Sequence, residues 1–372
     1  MLQNHHLTAR KKEITFLKSV ESSPKSEFIA IYGRRRIGKT YLIREYFKNH
    51  PFFFEFTGTK DLPTQTQIKS FFREMDRTFK IGSDLPHPPA NWNEALNLLQ
   101  NLIEKKSANK KSAKKIIFFD ELPWLASRKS GFLEALDYFW NSFLSKRKDV
   151  ILIVCGSAAH WMISEIINSK GGLHNRITRG PLAMLPFTLA ETREFLQAKA
   201  IDLNPETIAE IYMATGGVAY YLEHVQRGQS AAQFINQSFF SETGELRTEF
   251  DRLFQSLFDH SETHIHLIKH LANHPSGLSY LEIAEKLKTQ TGGTFSKMLT
   301  ELEKSGFIQF TPPIGKKKKG GIYHLVDEYS LFYLTWVESL GRTFQDNTYW
   351  QKQIGKPRYY HWVGHAGRLQ LS

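Results

Sequence analysis

The sequence predicts an α/β fold, in which a parallel five-stranded sheet is followed by a helical segment and a small module of helices and a hairpin. Five short apolar runs alternate with helical stretches, an order typical of parallel sheets with right-handed crossovers. The octapeptide Gly-Arg-Arg-Arg-Ile-Gly-Lys-Thr follows the first run and precedes a helical stretch. The predicted strands are 28–32, 52–57, 116–120, 150–155 and 182–185, and the predicted helices between them are 41–49, 64–79, 92–105, 131–146 and 158–167.

The octapeptide, residues 33–40, has the spacing of a phosphate-binding loop. Its backbone N–H groups and the start of the next helix favour an anion. Lys39 is expected to reach the β- and γ-phosphates, and the Thr40 hydroxyl to ligate Mg²⁺. These features predict a P-loop NTPase fold. The predicted nucleotide-binding residues are Gly33, Arg34, Arg35, Arg36, Ile37, Gly38, Lys39, Thr40 and Tyr41.

The three arginines of the loop are unusual. A loop that binds phosphate with its backbone must direct their side chains away from the phosphates. Two alternatives remain open for Arg34, Arg35 and Arg36: they bind acidic side chains of the helical segment, or they bind a nucleic acid.

A second motif ends the third apolar run, Ile-Ile-Phe-Phe-Asp-Glu at 116–121. Side chains at the carboxyl end of a parallel strand lie where ligands bind in open α/β sheets. Asp120 is therefore predicted to hold Mg²⁺ through its water shell, and Glu121 to orient or deprotonate the attacking water. The alternative is a helix cap in which Asp120 accepts backbone N–H groups. The extra strand 52–57 between the motifs predicts the additional-strand class of P-loop fold.

A serine and two alternative arginines are further candidates for catalysis. Ser157 ends the fourth strand, which in this class lies between the loop strand and the Asp-Glu strand, so its hydroxyl is expected beside the γ-phosphate. Its alternative role is an N-cap of 158–167. Arg176 or Arg179 is expected to stabilise transition-state charge, in cis or toward a neighbouring subunit. The alternative for both is an arginine of a surface loop.

The rest of the chain predicts two smaller modules. Residues 188–258 have a helical pattern and form a lid. Residues 259–340 contain three helical stretches and two strands around a lysine-rich tip at 316–319, the order of a winged helix. DNA contact through 294–319 is one interpretation. A protein-packing role is the other, because Glu301 and Glu303 on the third helix repel phosphate.

Composition limits the class of protein. Lysine and arginine exceed aspartate and glutamate by 12, which favours polyanionic partners or a solubilising surface. The single cysteine, Cys155, excludes an intramolecular disulfide and a multi-cysteine metal site. No apolar run approaches membrane-spanning length and no leader pattern opens the chain, so a cytoplasmic protein without membrane contact is expected.

The motifs together resemble a known family. Tyr-Gly-Arg-Arg-Arg-Ile-Gly-Lys-Thr, Phe-Phe-Asp-Glu, Cys-Gly-Ser and Gly-Gly-Val-Ala-Tyr-Tyr-Leu look like the archaeal-type AAA+/STAND-related P-loop ATPases. The resemblance implies ATP, less often GTP, with Mg²⁺. It makes Lys39 and Thr40 the Walker A pair, Asp120 and Glu121 the Walker B pair, and Ser157 the sensor-1 residue. Arg176 matches an arginine of the family.

The resemblance also bears on the C-terminus. Many members carry a nuclease-like domain after the winged helix, and Trp-Val-Gly-His-Ala at 362–366 resembles its start. The expected division is an ATPase core at 1–187, a helical lid at 188–258, a winged helix at 259–340 and a tail at 341–372 that is a truncated nuclease-like part. The first functional hypothesis is a Mg-dependent ATPase switch. The rivals are an ATP-regulated DNA-binding protein and a scaffold that self-associates with ATP.

Overall fold

The computed structural model describes residues 7, 9–82, 87–107, 114–168, 172–258, 260–313, 320–341 and 344–369. These residues form two compact units. The sheet unit contains the described residues of Arg10–Gly33 and Lys39–Met184. The C-terminal unit contains those of Met1–Ala9, Arg34–Gly38 and Leu185–Ser372. The four-part division predicted from the sequence stays a prediction.

The sheet unit is built on a five-stranded parallel sheet with the order β2-β3-β4-β1-β5. β4 therefore lies between β1 and β3, as expected for the additional-strand class. Strands β1, β3 and β4 are almost entirely buried, because helices cover both faces of a parallel sheet. The strands are β1 Glu27–Tyr32, β2 Phe53–Thr57, β3 Lys115–Asp120, β4 Val150–Gly156 and β5 Leu182–Ala183.

Seven α-helices of this unit lie among the described residues. Helix α3 places Ile68, Phe71 and Met75 inward at helical spacing, so one face packs on the sheet. Phe71, Trp92, Phe119 and Phe132 form an aromatic cluster in this core. The helices are α1 Lys11–Glu21, α2 Lys39–Phe47, α3 Thr64–Phe79, α4 Trp92–Ser107, α5 Leu122–Leu125, α6 Phe132–Ser142 and α7 Ala159–Trp161.

Several element boundaries differ from the prediction; helix α6, for example, ends at Ser142 instead of residue 146. Helix α2 begins at Lys39, inside the octapeptide, so two of its residues belong to the helix itself. The predicted helix 158–167 is α-helical only over α7 and continues as a π-helix, Met162–Ile167. The fifth strand has two residues instead of four, because it pairs with β1 only at Leu182 and Ala183.

The first part of the C-terminal unit is helical, as the sequence predicts. Thr188 and Glu191 form a capping box at the start of α8, and Asn204 caps α9, where Pro205 stands at the first position. Gly216 ends α9 in the left-handed conformation. The helices are α8 Leu189–Ala198, α9 Pro205–Thr215, α10 Ala219–Leu222, α11 Ala231–Ile235 with a π-helix Asn236–Phe240, and α12 Glu249–Leu257.

The second part combines helices with a three-stranded antiparallel sheet of order β6-β8-β7. The predicted tip lysines 316–319 lie outside the described residues. The elements are α13 Ser261–Ala272, β6 Leu278–Ser279, α14 Tyr280–Lys286, α15 Gly293–Lys304, β7 Ile308–Thr311, β8 Ile322–Leu325, α16 Glu328–Phe332 with a π-helix Tyr333–Val337, and α17 Pro357–Leu369.

The last described helix packs into the core of the same unit. Trp362 and Ala366 of α17 are buried, together with Trp336 and Trp350. The Trp350 ring lies 5.1 Å from the Trp336 ring and 5.4 Å from the Trp362 ring. The resemblance of this region to a nuclease-like element stays a prediction.

Across the stretches that the structure describes, none of the helices combines the length and the apolar character needed to cross a membrane.

Candidate nucleotide-binding site

Thr40 and Asp120 come together at the carboxyl edge of the parallel sheet. The Thr40 hydroxyl donates a hydrogen bond to Asp120 Oδ2 at 2.6 Å. Thr40 is the second residue of α2 and Asp120 is the last of β3, so strand and helix deliver them to the same point. The 80 residues that separate them in sequence are bridged by this contact.

Asp120 lies in a buried environment. The residue is 3% exposed, and its Oδ1 accepts the Glu121 N–H at 3.0 Å. Burial raises the pKa of Asp120 above its ordinary value and the charge of Glu121 raises it further, whereas the hydrogen bond from Thr40 lowers it. A divalent cation beside this carboxylate would favour the charged form. The helix-cap alternative for Asp120 is wrong, because the N-cap of the following helix Leu122–Leu125 is Glu121 and no side chain caps that helix. Oδ1 accepts the N–H of Glu121, while Oδ2 accepts the hydroxyl of Thr40.

Lys39 opens helix α2 and is buried. Its Nζ donates a hydrogen bond to the Gly33 carbonyl at 2.8 Å. The ammonium group is therefore held at the first residue of the octapeptide. A flexible lysine in this place is suited to bind phosphate as a point charge. Tyr41, the last of the predicted nucleotide-binding residues, lies on the same helix and is 41% exposed.

Glu121 and Ser157 form a second hydrogen-bonded pair at the carboxyl edge of the parallel sheet. Ser157 donates to Glu121 Oε2 from its hydroxyl at 2.8 Å and from its backbone N–H at 3.2 Å. Ala158 is the N-cap of α7 and no side chain caps that helix, so the hydroxyl of Ser157 serves Glu121 instead of the predicted cap. The two catalytic candidates are therefore brought into direct contact.

The backbone of Glu121 is in the left-handed region, with φ 47° and ψ 50°. Such a conformation is uncommon for a residue with a side chain, and it concentrates at functional sites. Gly58, after β2, packs against it: a Cβ at Gly58 would lie 2.6 Å from the Glu121 carbonyl oxygen. Gly58 also donates its N–H to the Asp120 carbonyl at 2.9 Å. Gly58 thus supports the Asp-Glu turn, a role that sequence patterns did not reveal.

The loop residues Arg34–Gly38 belong to the C-terminal unit. Arg34 forms an ion pair with Asp327, and the two side chains are 2% and 1% exposed. Arg36 Nη1 lies 3.0 Å from Glu249 Oε2. Arg36 thus pairs with an acid of the helical segment 188–258, the first of the two alternatives raised for the arginines. Asp327, the partner of Arg34, is also acidic but lies outside that segment, within 259–340. Asp327 and Glu249 could not be predicted as partners of the loop, because no local sequence pattern links them to it.

The arginine candidates after β4 pair with acids of the sheet unit. Arg176 Nε lies 3.3 Å from Asp137 Oδ1, on helix α6. Arg179 Nε lies 3.2 Å from Glu27 Oε1 at the amino end of β1, the end opposite to the loop. The structure does not bring Arg176 together with Lys39, Thr40 and Asp120. Its action toward a neighbouring subunit stays a prediction.

The donor set at the sheet edge fits a hard cation. Hydroxyl and carboxylate oxygens of Thr40 and Asp120 are ligands that Mg²⁺ accepts. Within the described ranges, no cluster of three or more histidine, cysteine, aspartate or glutamate residues is suited to hold a metal ion.

The parallel sheet, the octapeptide and the Thr40–Asp120 contact define a P-loop nucleotide-binding protein. Residues 7–225 match the family model described as an ATPase domain predominantly from Archaea. The chain belongs to this family and is an ATP-binding ATPase, as the resemblance predicted.

Two proteins of one archaeon are similar in sequence to this chain. The chain is 28% identical over 334 residues to the uncharacterized protein MJECL04 of Methanocaldococcus jannaschii, covering 88% of this chain and 68% of that protein. Over 40 residues, 11% of this chain and 68% of the relative, it is 45% identical to the uncharacterized ATP-binding protein MJ0423 of the same organism.

Two solved structures share the fold. The Walker-type ATPase paby2304 of Pyrococcus abyssi superposes with a TM-score of 0.60 at 18% identity, covering 87% of this chain and 95% of that one. The Aeropyrum pernix ORC2 protein, solved as ADPNP–ADP complexes, superposes with a TM-score of 0.53 at 13% identity, covering 90% and 93%.

Proposed function

We propose that this ATPase is a Mg²⁺-dependent switch, in which the state of the bound nucleotide sets the conformation of a winged-helix module at 259–340. The Thr40–Asp120 hydrogen bond of 2.6 Å supports the metal site, because it places a hydroxyl and a carboxylate where one Mg²⁺ with its water shell can engage both. Lys39 binds phosphate, and Glu121 orients the attacking water. Catalysis then consists of positioning and charge stabilisation.

The observation that carries the switch is the ion pair of Arg34 with Asp327 inside the C-terminal unit. Arg34 is a residue of the phosphate loop, and Asp327 caps α16 by accepting the Ser330 N–H at 3.0 Å. A change in the loop on nucleotide binding therefore acts on the N-terminus of α16, directly after β8. A buried ion pair transmits such a change because separating its charges is costly.

Measurements of ATP binding and ATP hydrolysis in variants test the catalytic roles of Lys39 and Glu121. Lys39→Ala should lose ATP binding, whereas Glu121→Gln should bind ATP and hydrolyse it about 10² to 10⁴ times more slowly. Lys12→Ala and Glu134→Gln are matched controls, since both residues are exposed in the sheet unit. Unchanged turnover in Lys39→Ala and Glu121→Gln would refute these roles.

Hydrogen exchange tests the switch. MgATP should change the protection of amides in α15 and α16 of the wild type, and Asp327→Asn should abolish that response. Asp251→Asn, at an exposed acid of α12, is the control. Equal responses in the wild type and Asp327→Asn would exclude coupling through this ion pair.

A second candidate function, ATP-regulated DNA binding, is favoured by the position of Glu301. Its Oε2 lies 2.9 Å from His264 Nε2 on α13, so this acid is occupied within the module. The amino-terminal half of α15 exposes Thr294, Ser296 and Lys297 and holds no acid. In winged helices and related folds, the amino-terminal residues of the third helix contact the bases.

Salt dependence separates this candidate from the switch alone. Binding to duplex DNA should weaken steeply with salt, and Lys297→Ala should reduce the salt slope by about 1. Lys129→Ala, at an exposed lysine of the sheet unit, should leave the slope unchanged. No measurable DNA binding, combined with ATP-dependent self-association in sedimentation, would favour the scaffold instead.

A further inference from the structure

Arg36 holds a backbone conformation that an arginine seldom adopts. Its φ is 69°, in the left-handed region, and no residue with a Cβ enters this region without steric strain against the following carbonyl. Gly38, two residues later, has φ 93° and escapes that strain. The loop therefore requires a left-handed residue at position 36, and the chain supplies an arginine there. Other interactions must offset the strain.

Three contacts hold Arg36, all within the C-terminal unit. Its Nη1 lies 3.0 Å from Glu249 Oε2. Its guanidinium carbon lies 4.2 Å from the centroid of the Tyr220 ring. Its carbonyl oxygen accepts the Tyr220 N–H at 3.2 Å. The side chain and the backbone of Arg36 are thus fixed together, which a single ion pair would not achieve.

The residues that hold Arg36 are themselves fixed. Glu249 is the first residue of α12, and its side chain is 2% exposed. Tyr220, in α10, donates its hydroxyl to Glu245 Oε2 at 2.9 Å, and His224 Nε2 lies 3.2 Å from the same oxygen. The support of position 36 therefore extends into α10 and α12.

We infer that Arg36 is a positioning residue of the phosphate loop, held in its left-handed conformation by Glu249 and Tyr220, so that the affinity for MgATP depends on α10 and α12. The inference rests on the proposed function, because it takes residues 33–40 as the phosphate-binding loop. Arg36 acts through the backbone of the loop, since its guanidinium is directed at Glu249. A displacement of α12 that breaks this ion pair lets residue 36 relax and weakens nucleotide binding.

The comparison of Arg36→Ala with Arg36→Gly tests the strain. Both variants lack the guanidinium, but only glycine takes a positive φ without strain. Without the guanidinium contacts, residue 36 of the alanine variant relaxes to a negative φ in the nucleotide-free protein. Nucleotide binding must then return this residue to a positive φ. Arg36→Gly should therefore bind MgATP about fivefold more tightly than Arg36→Ala, measured by equilibrium dialysis. Equal affinities would overturn the inference.

Glu249→Gln tests the support. Made in the otherwise wild-type protein, the substitution should weaken MgATP binding about fivefold. Made in the Arg36→Gly background, it should weaken binding less than about twofold, because no guanidinium remains to be held. Equal weakening in both backgrounds would contradict the inference. Glu242→Gln, at an exposed acid of the same segment, is the matched control.

Two checks keep the outcomes distinct. If Lys39→Ala binds MgATP like the wild type, the proposed function fails. If Lys39→Ala loses binding while Arg36→Ala and Arg36→Gly bind alike, only the present inference fails. Thermal unfolding without nucleotide reports whether each variant folds. If Glu249→Gln does not fold, the alanine–glycine comparison decides alone.

Discussion

The hydroxyl of Ser157 donates its hydrogen bond to Glu121 Oε2 at 2.8 Å, and the Ser157 N–H reaches the same oxygen at 3.2 Å. A serine hydroxyl has a single proton to donate. It cannot serve a phosphate oxygen and Glu121 at once. If the Ser157 hydroxyl turns to the γ-phosphate, Glu121 Oε2 therefore loses one of its two donors, and the vacated position on the carboxylate can orient water.

Replacing Ser157 should affect turnover more than binding. In Ser157→Ala, kcat should fall about 10- to 100-fold, because a positioned hydrogen-bond donor is lost, while the ATP dissociation constant changes little. Ser157→Thr keeps the hydroxyl and should retain more activity than the alanine variant. Steady-state kinetics and equilibrium binding measure the two effects. A change confined to ATP affinity would contradict this role.

Asp120→Asn should weaken the response to Mg²⁺. Asparagine preserves the shape of the side chain but removes the charge that attracts the cation. We expect the Mg²⁺ concentration for half-maximal turnover to rise about tenfold or more, whereas binding of ATP without metal changes little. A Mg²⁺ titration at saturating ATP measures this. Asp137→Asn, on α6, is the control, and an identical shift in it would argue against a specific metal role.

Asp327→Asn should destabilise the protein strongly. Asparagine can still cap α16, so the substitution isolates the loss of the negative charge. Arg34 then remains charged in a buried place, which costs about 3 to 5 kcal/mol. Urea unfolding should show this loss. The double variant Arg34→Met with Asp327→Asn should recover part of it, and a further loss in the double variant would exclude the ion pair as the cause.

Glu328 should make stability dependent on pH. Burial, with added repulsion from Asp327, raises the pKa of Glu328 from 4.5 to about 7. Because the folded pKa is the higher one, the folded state binds more protons between these values. The stability that this group contributes is full below about 4.5 and is lost as the pH rises through about 7.

Glu328→Gln should therefore flatten the pH profile. From pH 5 to pH 8 the free energy of unfolding of the wild type should fall more than that of the variant, by about 1 to 3 kcal/mol. Urea unfolding at both pH values measures the difference. Glu303→Gln, at an exposed acid of α15, should follow the wild type. Parallel profiles of the wild type and Glu328→Gln would refute the expectation.

The sheet could be predicted from the sequence because its signals are local. Continuous apolar runs such as 116–119 and 150–155 mark strands buried on both faces, and each strand lies within two residues of its predicted bounds. The helix 158–167 was predicted with the wrong type, since apolar spacing does not distinguish an α-helix from the π-helix that follows α7.

The meeting of Thr40 with Asp120 was also expected from the sequence. Thr40 belongs to the octapeptide that follows β1, and Asp120 ends β3. Parallel strands have their carboxyl ends at the same edge of the sheet, so the two residues were expected to lie close together. The placement of Arg176 beside Asp137 was not foreseen, since a loop arginine carries no pattern that tells its partner.

The sequence by itself determined the parallel sheet, the order of its motifs and the identity of the loop, because short-range periodicity and glycine spacing encode local backbone geometry. Only the tertiary structure decided the partners of the loop arginines. Arg34 meets Asp327 across 293 residues of chain, and Arg36 meets Glu249. Charged residues are common along the chain, and burial in one folded core selects which opposite charges lie close enough to pair.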